Sequence, residues 1–282
     1  MLKPSMIHPD VIAMAREGEP ERYIAATVSP LHKQPALIAL SAFAADLRRI
    51  PTVVKEPMMG EVRLQWWRDT IEAFSTSTTP TGHPIADALA DVVRTHALPP
   101  LSLIAMTEAR AFDLYDDPMS DEAALSGYLT KTEAIPFSLA QQILGDATPR
   151  ADVTTRAGQI FGKTRLLAEL PRSLSRGRVS FPTDMLRSAG VDPDELLRGQ
   201  TSQPFASLLA QSCADIATAH TTLRNSLKLP SPETQLALLP LACVPTYLNA
   251  IQKKARDPLR TPAEISPLAR VWHIGRARWL GL

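Results

Sequence analysis

The chain has 282 residues, of which 45% are hydrophobic and 21% charged, and a formal net charge of +1. A chain of this length buries a sizeable core, and its composition is that of a globular rather than a disordered protein. The near-zero net charge supplies no global field toward nucleic acid, and the two distant cysteines, Cys213 and Cys243, suit a reducing, cytoplasmic setting rather than a disulfide framework.

Apolar residues recur at spacings of three and four along almost the whole sequence, and no alternating β-branched run is bounded by a hairpin turn. The pattern predicts an all-α protein, a single domain over residues 1–282, with about a dozen helices and no internal repeat. The first twenty residues contain Asp and Glu and lack a basic stretch followed by an apolar block, so neither a secretory signal nor a transit peptide is expected. Short helices are predicted over His8 to Glu17 and Pro20 to Val28. Pro30 and Pro35 then introduce a longer one with Ala36, Leu40, Phe43 and Leu47 on one apolar stripe, expected to stop before Pro51.

Glu56 to Phe74 is predicted as the next helix, with Met58, Val62, Trp66 and Ile71 as apolar positions. Trp66 and Trp67 are helix neighbours and cannot both enter one core, so one belongs inside and the other at a cavity mouth or partner surface. Further helices are expected over Pro84 to His96, Pro99 to Leu114, Glu122 to Leu144 with a kink at Pro136, and Ala151 to Leu174 with its end disturbed by Pro171. An extended loop (RGRVSFPTDML), a short helix stopped by Gly199, and helices over Pro204 to Leu227, Leu236 to Lys254 and Ser266 to Leu280 complete the chain. The most apolar window, Leu236 to Ile251, holds two prolines and is too short to span a bilayer, which leaves loose peripheral attachment as the membrane option.

Motif chemistry is sparse. The six histidines have no zinc spacing, and the acidic loop with Asp113, Asp116, Asp117 and Asp121 lacks the calcium-loop pattern and reads as solvated. No nucleophile elbow, P-loop or dinucleotide fingerprint is present.

The segments LIALSAFAADLRRI, EVRLQWWRDTIEAF and KTRLLAELPRSLSRGRVSFPTDMLRSAGV, in that order and spacing, resemble the squalene/phytoene synthase family. EARAFDLYDD and DPLRTPAEISPLARVWHIGRARW extend the likeness from Arg22 to Trp279. The resemblance implies an isoprenoid-synthase (terpenoid synthase) fold, with helices around a central cavity. In active members two Asp-x-x-x-Asp motifs face each other there and hold Mg²⁺ against a prenyl diphosphate.

This sequence departs from that pattern. Matched residue by residue, the first pair of aspartates falls at Arg48 and Thr52, the preceding tyrosine at Ser41 and the arginine at Ala45; Asp46 and Arg49 are expected to point elsewhere. The second pair falls at Glu169 and Ser173, and the upstream glutamine and asparagine at Gly162 and Arg165. Arg176 and Arg178 match an Arg-Gly-Arg loop. Candidate ligand-binding residues are therefore Ser41, Arg48, Arg165, Glu169, Ser173, Arg176 and Arg178, with no catalytic or metal-ligating residue and no cofactor. The arginines either pair with Glu169, Asp46 or other carboxylates, or bind a lipid phosphate or diphosphate directly through the guanidinium fork.

The likeness is nearest the degenerate, non-catalytic branch that includes mitochondrial complex I assembly factors, which implies a protein partner in a respiratory complex. Two alternatives stand beside it. One is a head-to-head prenyltransferase using Mg²⁺; the other is a carrier holding an isoprenoid or phospholipid in the cavity.

Overall fold

The computed structural model describes residues 7–146, 150–227, 231–253 and 257–282. Among them every regular element is helical, as the spacing of apolar residues predicts. Helix α3 (Gln34–Val53) is central: Leu37, Leu40, Phe43, Ala44 and Leu47 are all buried, so apolar side chains cover most of its circumference. Helices α1 (Pro9–Gly18), α2 (Pro20–Thr27), α4 (Pro57–Ala73) and α5 (Pro84–His96) pack around it. The approach of α1 is close, since a Cβ on Gly18 would lie 2.4 Å from that of Ala45.

Helix α6 (Pro100–Ala109) continues as a 3₁₀ turn over Arg110–Leu114. Then α7 (Glu122–Leu129) and α8 (Ile135–Leu144) are joined by a π segment, Thr130–Ala134. The kink expected at Pro136 takes this form, with the Ile135 N–H donating to the Thr130 carbonyl five residues back. A missing proline amide next to a wide turn re-phases the helix without ending it.

The second half is built on α9 (Ala151–Ala168), followed by α10 (Leu170–Leu174), α11 (Thr183–Ala189), α12 (Pro193–Leu197) and α13 (Gln203–Ser226). Helices α14 (Pro232–Ala237), α15 (Val244–Ile251) and α16 (Pro267–Leu280) close the chain. One apolar core surrounds α3, and another lies between α9, α13 and α15; Tyr247 and Ala250 touch both.

Four expectations change. Helix α3 runs through Pro51 to Val53, because a proline in the last turn removes only one late amide donor and the Val54 N–H still reaches the Ile50 carbonyl at 3.3 Å. The helix expected over Ala151 to Leu174 breaks at Glu169, two residues before Pro171, which starts α10 instead. The segment after Leu236 divides into α14, a 3₁₀ stretch Leu239–Cys243 and α15, as Pro240 and Pro245 each open a new element; Lys254 lies outside the described residues. In α4, Met58, Val62 and Trp66 face solvent, while Leu64, Trp67 and Ile71 are buried. Trp67 is the core tryptophan, its Nε1 donating to Asp46 at 2.9 Å and its ring edge-on to Phe43. Among the described residues no helix is long and apolar enough to cross a membrane.

Candidate functional site

A cavity of about 800 Å³ opens between the two cores, lined by α1, α2, the C-terminal half of α3, the π segment, α9, α10, α15 and Arg270 of α16. Its wall is an ion-pair network. Glu19, in the one-residue joint between α1 and α2, is buried and accepts two bonds from Arg165, Nη1 at 2.8 Å and Nη2 at 2.7 Å. Arg22, one turn along α2, donates to Glu19 at 2.6 Å and to Glu133 of the π segment at 2.9 Å. Arg165 also reaches Glu133 at 3.2 Å, and its guanidinium lies 4.7 Å from the centre of the Phe161 ring.

Arg48 comes from α3, the first motif helix. It donates from Nη1 to both oxygens of Glu169, at 3.0 and 3.3 Å, and from Nη2 to the Gly18 carbonyl. Its Nε stands 3.5 Å from Glu19, too long for a hydrogen bond but close enough for charge attraction. Glu169 meets Arg48 from the C-terminal end of α9, where the helix breaks. Farther along the wall, Arg110 donates to Tyr128 Oη at 2.7 Å and to Asp113 at 3.1 Å, Tyr128 donates to Asp113 at 2.7 Å, and Arg178 donates to the Asp113 carbonyl at 2.8 Å.

Burial by itself would raise the carboxyls of Glu19 and Glu133. Arg165 and Arg22 outweigh it at both, helped by Arg48 at Glu19, and hold the two acids below the ordinary carboxylate range. Arg165 is correspondingly raised: burial opposes its charge, and Glu133 and Glu19 more than restore it. A second cluster also lines the cavity, where Glu21 accepts from Tyr247 Oη at 2.6 Å and from Arg270 Nε at 2.8 Å. Burial, with Glu21 nearby, pushes the Cys243 thiol up to about 12, so it is not a thiolate nucleophile at neutral pH.

Six of the seven candidate residues meet at this cavity: Arg48, Arg165, Glu169, Ser173, Arg176 and Arg178. Ser41 does not. It lies two turns deeper on α3, is buried, returns its hydroxyl to the Leu37 carbonyl at 2.7 Å, and borders a much smaller cavity behind Arg22. Arg22 lines that smaller space and Glu133 the larger one, so their ion pair closes the floor between them. Arg49, expected to point away, reaches the mouth, where Arg16, Arg49 and Arg176 make no ion pair among the described residues. Asp113 is not a member of a solvated acidic loop but a half-buried partner of Arg110 and Tyr128, whereas Asp116 and Asp117 are exposed. Asp46, offered as a partner for the arginines, instead accepts from Trp67.

The residues the sequence did not single out are Glu19, Glu21, Arg22, Arg110, Glu133 and Arg270.

A divalent cation needs clustered anionic oxygen. Here Glu19, Glu133, Asp113 and Glu169 each stand within ion-pair distance of a guanidinium. Among the described residues no group of three or more His, Cys, Asp or Glu is placed to hold a metal ion. The donor set does not fit the Mg²⁺ that the family pattern implies.

The chain is 24% identical over 242 residues to NADH dehydrogenase (ubiquinone) complex I, assembly factor 6 of Homo sapiens, covering 85% of this chain and 69% of that protein. The Bos taurus protein of the same name is 28% identical over 188 residues, and the match spans just over half of it, 56%. The bifunctional protein CrtB/UppS of Streptomyces coelicolor is 29% identical over 203 residues, 68% of this chain and 34% of that one. Among solved structures, squalene synthase HpnC from Alicyclobacillus acidocaldarius superposes with a TM-score of 0.76 at 16% identity, over 92% of this chain and 97% of that one, a likeness of fold. The squalene/phytoene synthase family profile matches residues 15–272, and the chain belongs to that family.

Proposed function

We propose that this chain is a non-catalytic member of the squalene/phytoene synthase family that serves in the biogenesis of respiratory complex I. The observation that carries the first half is the pair Arg48 and Arg165 at motif positions, Arg48 bonded to Glu169, which stands at a motif carboxylate position, and Arg165 to the buried Glu19 and Glu133. Ionising a prenyl diphosphate requires charge neutralisation of the leaving pyrophosphate, which family members obtain from Mg²⁺ held by carboxylates. With Glu19, Glu133 and Glu169 committed to guanidinium groups, that chemistry has no ligand set here. Support for the second half is the likeness to complex I assembly factor 6 over 85% of the chain.

Two measurements test it. Incubation with farnesyl or geranylgeranyl diphosphate and Mg²⁺ is expected to release no pyrophosphate; release that Glu169→Ala abolishes would establish the prenyltransferase alternative. Deletion of the gene is expected to lower NADH:quinone activity and complex abundance, and unchanged values would remove the assembly role.

One observation favours an added role for the cavity. Arg16, Arg49 and Arg176 at its mouth make no ion pair among the described residues, and the guanidinium fork suits phosphate without metal. Native mass spectrometry of protein purified without detergent is expected to show a co-purifying anionic lipid, and an empty cavity would count against a carrier.

A further inference from the structure

Helix α16 buries Ile274 and Ala277 against the body of the protein and leaves Leu268 82%, Trp272 69% and Trp279 82% exposed. At about 100° per residue, Leu268, Trp272, Gly275, Arg276 and Trp279 fall within one sector roughly 100° wide and about 16 Å long. The exposed tryptophans are therefore a continuous stripe rather than isolated surface residues, and stripes of this kind mark interaction sites.

Charge identifies what covers the stripe. From Ile265 to Leu282 there is no Asp or Glu, whereas Arg270, Arg276 and Arg278 are present. Arg270 turns inward to Glu21, which leaves Arg276 exposed on the stripe and Arg278 beside it, 5.4 Å from the Trp279 ring. Glu264, the nearest acidic side chain before the helix, is bonded to Arg172 at 2.5 Å. Arg278 also touches the Val28 carbonyl at 3.4 Å, and three residues on from that contact Leu31 is 70% exposed, followed by His32 and Lys33. The exposed apolar stripe of α4 differs: Met58, Val62 and Trp66 there are flanked by Glu61, Arg63, Arg68 and Asp69, charges of both signs.

Tryptophan at an apolar–polar boundary, leucine beside it and arginine without acid are the composition of a helix that lies in a membrane interface. We propose that α16 is such a helix, docking the protein on an anionic lipid surface with Leu268, Trp272 and Trp279 at the acyl boundary and Arg276 among the headgroups. The attachment is local: the net charge of the chain, +1, contributes nothing to it. It stands independently of the assembly role and of what the cavity holds.

The test is co-sedimentation of the full chain with phosphatidylcholine vesicles, with and without phosphatidylglycerol. Wild type is expected to bind the anionic vesicles and to be released by high salt. Trp272→Ser/Trp279→Ser is expected to lower partitioning at least about tenfold, and Arg276→Glu roughly fivefold or more. All three side chains are exposed, so the variants are expected to melt as wild type does. Absence of wild-type binding to anionic vesicles overturns the proposal, as does equal binding by the double tryptophan variant. Concentration-dependent dimerisation abolished by Trp272→Ser, without vesicle binding, also overturns it and gives the stripe to a second copy of the chain.

Discussion

Replacement of Glu19 by glutamine tests the account of the cavity wall most directly. The carboxylate accepts two bonds from Arg165 and one from Arg22, and stands 3.5 Å from Arg48. A glutamine keeps one acceptor oxygen and turns an amide donor toward a guanidinium. Three arginines are then left to share Glu133 and Glu169. Breaking a buried pair from one side costs about 3–5 kcal/mol, because the partner charges stay buried and uncompensated. Arg48, with 26% of its side chain exposed, keeps part of its hydration, which places the expected loss toward the lower end of that range. Urea denaturation followed by far-ultraviolet circular dichroism measures it, and the melting temperature is expected to fall by roughly 2 °C for each kcal/mol lost. The double variant Glu19→Gln/Arg165→Met removes charge from both sides and is expected to cost less than the sum of its singles by about 0.5–3 kcal/mol. A Glu19→Gln protein within about 1 kcal/mol of wild type, or strict additivity, would refute the reasoning and mean that water in the open cavity compensates the arginines.

The same network makes stability depend on pH. Glu19 and Glu133 are held below the unfolded value of 4.5, so their contribution is complete above it and is lost progressively as pH falls below it, because the unfolded chain then binds more protons. A smaller loss begins below 6.5, where burial first, and nearby cationic side chains after it, disfavour protonation of His96 and His220 in the fold; melting curves from pH 7 to 3 check both, and Glu19→Gln is expected to flatten the lower part. Trp67→Ala is expected to cost about 3–5 kcal/mol and Trp66→Ala about 1 kcal/mol or less, measured by urea denaturation; equal costs would contradict the inward assignment of Trp67. Gly158→Ala gains helix propensity yet is expected to destabilise by about 1–3 kcal/mol, since its Cβ would lie 2.5 Å from the Ala134 backbone. Gly127→Ala, whose Cβ meets nothing within 4 Å, is expected to stabilise by roughly 0.4–1 kcal/mol in the same assay.

Helix positions were legible because burial imposes a period of three to four on apolar residues, and proline marks where amides are absent. The apolar stripe Ala36, Leu40, Phe43 and Leu47 is buried throughout. Periodicity is ambiguous where apolar residues occupy two faces. In α4, Met58, Val62 and Trp66 follow helical spacing as well as Leu64, Trp67 and Ile71 do, and only packing separates the solvent face from the core. Motif alignment brought Arg48, Arg165 and Glu169 together, since residues on motif helices share a cavity once the fold is right. Ser41 does not join them because a stripe about three turns long, from Ser41 to Thr52, outruns the cavity: past Ala45 the same face of α3 turns toward α2 and α8 and borders only the smaller space behind Arg22. The partners Glu19 and Glu133 were hidden for a different reason. One sits in a helix joint and the other in a π segment, and neither position is encoded by a regular repeat.

The arginine–carboxylate network also explains how a fold built around a cavity keeps its walls in place. Facing carboxylates on separate helices repel one another unless a cation lies between them. In this chain the cations are side chains: Arg165 joins α9 to the α1–α2 joint and the π segment, Arg48 joins α3 to the end of α9, and Arg22 joins α2 to the π segment. Helices α2, α3 and α9, the α1–α2 joint and the π segment are thereby tied across the cavity by charges that cannot diffuse away. A bound ion can be given up to substrate, whereas a guanidinium fixed to its helix cannot. On the proposed reading, the same bonds that hold the wall together keep these carboxylates from binding a metal. An Arg48→Asp/Arg165→Asn variant, which restores motif-like residues, is therefore expected to lose stability before it gains any Mg²⁺-dependent release of pyrophosphate. Thermal shift with and without Mg²⁺ reads the two effects separately. A variant that melts as wild type does and is stabilised by Mg²⁺ would mean that the arginines cover an intact metal site instead of replacing it.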